Sequence, residues 1–197
     1  MGVLIVVIRF QKISLICIIS IMEDTKIFQD GYSKKLLVYL LRESLDGRKE
    51  VLLGMHHKQH KRNAPGGKVG DKEEFKDESI PHAAIRELKE EINIVVEESE
   101  LKKVGSMFFS FDEGLPLSCD IFVVTKWDGT PKESEELTDL QWFDVNNLPV
   151  EEMWPSDLEW LPYVWGGKYF EGKLNFGKEG NNELVIEQQS KTIELLD

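Results

Sequence analysis

The chain has little cysteine. Cys17 and Cys119 are the only two in 197 residues. They form neither a metal-ligand spacing nor a disulfide framework, so a reducing compartment is the natural setting. Basic charge is also short, with 24 Lys and Arg against 36 Asp and Glu and a net charge of −12. That balance excludes a general affinity for nucleic-acid backbones, which needs a basic surface. It leaves nucleotides open as ligands, because a bound metal can bridge acid to phosphate. An uninterrupted apolar run long enough to span a bilayer is missing too. The stretch from Gly2 to Met22 is rich in Val, Ile and Leu, but Arg9 and Lys12 interrupt it. Its positive charge follows the first apolar patch, unlike a secretory signal. Met22-Glu23-Asp24 then opens an ordinary soluble sequence. Residues 1–22 are therefore read as a dispensable leader or as sequence ahead of a working start at Met22. A mitochondrial leader is the alternative, since no acid precedes Glu23, although serine and arginine are scarce. No repeat, low-complexity tract or second domain is visible, and residues 33–190 read as one domain with a full core.

What is present centres on Arg86-Glu87-Leu88-Lys89-Glu90-Glu91. On a helix the spacing sets Glu87, Glu90 and Glu91 side by side. Ile85, Leu88 and Ile92 fall on another face, suited to a core. Three adjacent carboxylates repel, and Arg86 cannot neutralise all of them. Hard carboxylate oxygens suit Mg²⁺, with Mn²⁺ as a substitute. A solvated acidic helix face is the plain alternative reading of the string alone.

The flanks go further. Pro65-Gly66-Gly67-Lys68 lies upstream, and Glu78 precedes Arg86 by eight positions. Together these resemble the Nudix box, G-x5-E-x7-R-E-U-x-E-E-x-G-U, where U is aliphatic. Two departures stand out. Ten residues separate Gly67 from Glu78 where the pattern has five, and Asn93 takes the place of a glycine. Asparagine is the next-best residue for the left-handed turn that ends a helix. The extra residues, about Lys72 to Asp77, are expected to bulge out as a charged loop that leaves the helix alone. Further on, Trp142-Phe143, Met153-Trp154-Pro155-Ser156-Asp157, Trp160, Phe170-x-Gly172 and Phe176 are similar in order to the oxidised purine nucleoside triphosphate hydrolases of animals. That resemblance runs from about Lys35 to Glu187.

The resemblance implies an α/β/α sandwich, a mixed β-sheet between helices. It implies Mg²⁺-dependent hydrolysis of oxidised purine nucleoside triphosphates to the monophosphate and pyrophosphate. Glu87, Glu90, Glu91 and the Gly66 carbonyl would be metal ligands, with Glu136 a further acid near the metal. Glu78 and Arg86 would orient helix and loop. Lys68 and the Pro65-Gly66-Gly67 backbone would hold phosphate. Asn63, Trp154, Pro155, Ser156 and Asp157 would read the base, with Phe109 and Phe176 lining its pocket. Ser156 stands where the family has the first of two adjacent aspartates, so a changed base preference is expected. His56 replaces a lysine near the triphosphate, for which Lys58, Lys61 or Arg62 would compensate. Leu36 takes the place of a strand threonine facing the base. Another nucleoside diphosphate derivative as substrate, and a non-catalytic binding module, remain alternatives. A cytoplasmic monomer is expected, with mitochondrial or nuclear pools as additions and no nucleic-acid partner or stable membrane association.

The remaining elements read coarsely. Strands are expected at Lys35–Arg42, Val51–Met55, Met107–Phe111, Ile121–Lys126 and Leu140–Val145. His56–Asn63 reads as a basic loop, Ser79 as a helix cap, and Ser156–Trp165 as a helix. Tyr169–Phe176 and Glu183–Glu187 read as a closing hairpin. Trp142, Trp160 and Trp165 are assigned to the core.

Overall fold

A computed structural model describes residues 31–70, 72–112, 114–178, 184–186 and 192–196. The expected leader, residues 1–22, lies outside the described residues. The central strand is β1, Ser33–Glu43, and its alternation organises the molecule. Leu36, Val38 and Leu40 join one buried cluster, and Leu37, Tyr39 and Leu41 join the other. A strand apolar on both faces belongs in the middle of a sandwich. It runs parallel to β5, Leu117–Val124, and antiparallel to β2, Lys49–His56. The sheet continues through β4, Lys102–Phe111, to β7, Tyr169–Lys178, and then β8, Leu184–Ile186. On the far side, β2 pairs with β3, Lys61–Asn63, and with β6, Leu137–Asp144.

One face of the sheet is covered by α1, Ile80–Ile92. The Ser79 hydroxyl accepts the His82 N–H at 3.3 Å, and Pro81 sits in the first turn where no N–H is needed. Asn93, at φ 55°, ends the helix left-handed, and its N–H returns to Leu88 and Lys89. Ala83, Ala84, Leu88 and Ile92 pack on Leu36, Val38, Leu40, Phe122 and Val124. Ile85, expected on this face, is only half-buried. The two alanines let the helix sit close to the strands. The other face is covered by the Trp154–Trp165 segment, with Trp160 fully buried against Tyr39, Phe170 and Leu174. The mixed sheet between helical layers expected from the resemblance is present.

Several elements differ from the sequence reading. The Ser156–Trp165 helix is a 3-10 turn, Pro155–Glu159, followed by a single helical turn, α2, Leu161–Val164. Pro162 lacks the N–H that would continue a helix and begins a new one instead. The basic loop is shorter than expected, because β2 runs through His56 and β3 starts at Lys61. β5 begins at Leu117, where Ser118 and Asp120 had hidden an alternating strand. The closing hairpin forms between β7 and β8. A further strand, β9, Thr192–Leu196, pairs antiparallel with β7 and carries the sheet past residue 190. Among the described residues no helix is long and apolar enough to cross a membrane.

Arg62 departs most from its expected role. Read as a cation for phosphate, it is only 2% exposed. Its guanidinium bonds Glu152 at 2.7 Å and both the backbone and carboxylate of Asp139, and it lies 5.1 Å from the Phe143 ring. It thereby clamps β3 to β6 and to the turn before Met153. Replacing it with methionine strands two half-exposed acids rather than two buried ones. Arg62→Met should cost about 1–3 kcal/mol, seen as a lower urea midpoint at unchanged slope.

Candidate functional site

A cavity of about 350 Å³ opens between β1, the loop after β3, α1 and the Trp154–Trp160 turn. Its walls differ in character. At one end are Phe109, Phe176, Trp154, Ser156, Asp157 and Asn63; at the other are Gly66, Gly67, Lys68, Glu87, Glu91 and Glu136. The apolar end is held by rings. Phe109 and Phe111 stack on Phe176 at 6.3 and 5.3 Å, and Lys61 lies 5.8 Å over the Trp154 ring. Asp157 is 5% exposed and its Oδ2 has no hydrogen-bond partner. Burial pushes its carboxyl up to about 8, against a backbone bond at Trp154 and the charge of Lys61.

The acidic end depends on Arg86. Its guanidinium bonds both oxygens of Glu78 at 2.8 and 3.0 Å. It also bonds Glu87 at 2.9 Å, Glu90 at 3.2 Å and the Lys68 carbonyl at 3.3 Å. Glu78 in turn accepts the Gly70 N–H at 3.0 Å. Burial opposes the Glu78 charge, but Arg86 and Gly70 outweigh it and hold the carboxyl below its ordinary value. Glu91 accepts the Gly66 N–H at 2.8 Å. Burial, reinforced by Glu87, Glu136 and Glu90, pushes Glu91 up to about 8 despite that bond.

The glycines explain how the loop reaches the helix. β1 takes the carbonyls of Pro65 and Gly67, through Val38 N–H at 2.9 Å and Leu36 N–H at 3.0 Å. In extended backbone the N–H and C=O of one residue share a side. The Gly66 carbonyl is therefore turned, with its N–H, toward Glu91. A Cβ at Gly66 would lie 2.2 Å from the Leu36 carbonyl, and one at Gly67 would lie 2.2 Å from Glu87 Oε1. Only glycine lets the strand, the loop and the carboxylates approach this closely.

The NUDIX domain family matches residues 36–164. An oxidized purine nucleoside triphosphate hydrolase of Danio rerio is 34% identical over 167 residues, covering 83% of this chain and 98% of its own. The same-named protein of Mus musculus is 38% identical over 131 residues, 64% of this chain and 78% of its own. A MutT protein from Bacillus halodurans has the same fold, with a TM-score of 0.59 at 22% identity over 83% of this chain and 97% of that one. The chain belongs to the NUDIX family. With the family comes hydrolase activity.

In this NUDIX site most expected residues come together. Asn63, Gly66, Gly67, Lys68, Glu87, Glu91, Phe109, Glu136, Trp154, Ser156, Asp157 and Phe176 all line the cavity. Pro65 and Pro155 do not; they shape the backbone on either side. Glu78, Arg86 and Glu90 are not among the lining residues; Arg86 bonds both acids and, as a brace, ties them to Glu87, which is. Among the described residues no three acidic, histidine or cysteine side chains already converge as a ligand set. Arg86 holds Glu87 and Glu90, and the Gly66 N–H holds Glu91. The donors nevertheless fit a hard cation: carboxylate oxygens and a carbonyl, with one carboxylate buried at a cost that a cation would relieve.

Other assignments change. Leu36 and Leu37 both line the cavity, but Leu37 packs with the cluster that includes Phe109 and Phe176 while Leu36 joins the cluster under α1. Burial pushes the His56 pKa below its ordinary value, with the charge of Glu136 opposing the shift. An antiparallel bridge sets Lys35 opposite Lys68, which adds a second lysine to that wall. Lys35, Glu135 and Tyr39 were missed because no local motif marks them. Trp160 is core, as expected, and also touches the cavity; Trp142 stacks on Trp127 at 6.0 Å.

The longer loop also behaves differently from expectation. Glu73–Phe75 folds into a 3-10 turn, and the Phe75 ring lies 4.4 Å from the Arg86 guanidinium. The extra residues therefore cover the brace instead of bulging away. Phe75→Ala should lower stability by about 1 kcal/mol through loss of that contact, measured by urea unfolding.

Asp157 gives a second expectation. An acid with a raised folded pKa keeps a proton that the unfolded chain releases. Its contribution to stability is complete below about pH 4, falls as pH climbs, and is lost above about 8. Asp157→Asn keeps the shape without the charge. Its melting temperature should exceed the wild type's by on the order of 5 °C at pH 9 and match it near pH 4.

Proposed function

We propose that the chain hydrolyses oxidised purine nucleoside triphosphates, such as 8-oxo-dGTP, to the monophosphate and pyrophosphate in the presence of Mg²⁺, and so cleanses the nucleotide pool. The observation that carries this reading is the shared cavity, aromatic and apolar at one end and carboxylate-rich at the other. A purine needs a ring wall to stack on and fixed polar groups at its edge. A triphosphate needs cations. The two curated relatives act, by name, on such triphosphates.

Glu87, Glu90, Glu91, Glu136 and the Gly66 carbonyl would hold the metal, with Mn²⁺ able to replace Mg²⁺. A divalent cation, when bound, offsets phosphate charge and makes a water more acidic. A glutamate carboxylate of the cluster accepts the water's proton. Lys68, joined by Lys35, and the Gly66-Gly67 backbone bind the phosphate tail. Arg86 and Glu78 keep the helix and loop in register so that the carboxylates do not drift. Phe109, Phe176 and Trp154 stack against the base, while Asn63, Ser156 and Asp157 meet its edge. Hydrolysis falls between the α and β phosphates.

The test is pyrophosphate release with Mg²⁺ from oxidised and ordinary dNTPs, run beside Glu90→Gln. Glu90 is half-exposed and bonds only Arg86 among the contacts described, so the variant should fold. Preference for an oxidised purine is expected, with kcat falling about 100-fold or more in the variant. Release from no triphosphate overturns the reading and leaves diphosphate-linked nucleotides as the substrate class.

A further inference from the structure

Tyr39 is an odd residue for its place. It is fully buried in the middle of β1, edge-on to Trp160 at 6.1 Å and to Trp165 at 5.6 Å. Leucine or phenylalanine would fill such a core without importing a hydroxyl, which costs free energy unless bonded. The partner is Asn63, whose Oδ1 accepts the Tyr39 hydroxyl at 3.3 Å. The same oxygen accepts the Ala64 N–H at 2.8 Å. A backbone N–H can only donate, so the atom it meets must be the oxygen. That excludes the flipped amide and leaves the Asn63 NH₂ on the other side. Asn63 lines the cavity, whereas Tyr39 lies behind the wall. Burial, helped by Asp157 nearby, holds the Tyr39 hydroxyl well above its ordinary pKa, so it remains a donor throughout the working range.

We propose that Tyr39 is a positioning residue: with the Ala64 N–H it fixes the Asn63 amide so that a donor, not an acceptor, faces the bound base. The site then selects a purine whose edge at Asn63 carries a carbonyl or ring-nitrogen acceptor, and it rejects one presenting an amino group there. This rests on the reading of the apolar end as a base pocket. It goes further in giving that wall a polarity and in naming a residue outside the pocket that sets it. Mispairing a buried donor with a donor costs more than losing one bond, so the discrimination arises mainly from rejection.

The experiment is a double-mutant cycle on the full chain with Mg²⁺, using 6-oxo and 6-amino purine triphosphates, oxidised and ordinary. Tyr39→Phe keeps the ring and removes only the hydroxyl. KM for the preferred substrate should rise about fivefold with kcat within about twofold, and the preference over the disfavoured purine should narrow. In an Asn63→Ala background the same substitution should change nothing, because the hydroxyl acts through Asn63. An equal KM rise in both backgrounds marks a merely structural hydroxyl and overturns the proposal, as does no rise in either. Should Tyr39→Phe fail to fold, Asn63→Asp carries the test, since it puts an acceptor where the NH₂ stood. Loss of the preferred purine is expected there, and an unchanged preference is the contrary result. A wild type that hydrolyses every base at one rate removes the base-reading function itself. A selective wild type with no coupling between Tyr39 and Asn63 removes only this inference.

Discussion

The rest of the site depends on an imbalance of charge around Arg86. One guanidinium faces Glu78, Glu87 and Glu90, and a fourth carboxylate, Glu91, lies beside them and accepts the Gly66 N–H. Were the aim stability alone, these acids would be fewer, because a buried carboxylate without a cation is costly. Arg86 meets both oxygens of Glu78 and spreads its remaining N–H groups over Glu87, Glu90 and the Lys68 carbonyl. Glu91 is the most deeply buried of the set, and burial pushes its carboxyl up to about 8, which favours its neutral form. The cluster is thus braced on one side, and carboxylate oxygens gathered this way suit a hard cation.

That imbalance also explains the glycines and the extra loop. The loop and the helix meet closely, and Gly66 and Gly67 leave no room for a Cβ at that meeting. The brace itself must stay out of water to remain strong. Phe75 supplies a lid for it, lying over the guanidinium from the loop that exceeds the usual spacing. Length added between the Gly66-Gly67 loop and the helix has therefore gone into packing on Arg86 rather than into the cavity, whose walls include none of residues 72–77.

How much of this was legible in the sequence follows from the range of the interactions. The α1 helix was legible almost to the residue, since Ser79, Pro81 and Asn93 act within a turn of themselves and local chemistry decides them. The acidic cluster was legible for the same reason. Strand boundaries were less so: Ser118 and Asp120 break the apolar pattern of β5, although register with β1 carries the strand through them. Contacts across long separations were not legible. Arg62 reads as one more cation in a basic run, and only the fold brings Glu152, ninety positions on, against it. Tyr39 reads as one more large apolar residue, and its bond to Asn63 exists only because β2 and β3 return alongside β1. Phe75 reads as a residue in a charged loop, because nothing local says that the loop turns inward.

In the proposed base pocket, Ser156 changes how the neighbouring acid holds its proton. Two adjacent acids would share a proton through mutual repulsion, so each would set the other's charge. Here Ser156 sits beside Asp157 and cannot take part. The proton on Asp157 is held by burial in an apolar wall, with no neighbouring acid raising its pKa and Lys61 pulling the other way. Its grip therefore depends on dryness. In the proposed pocket a bound base would therefore meet Asp157 as a protonated donor, held so by burial in the wall before any ligand arrives.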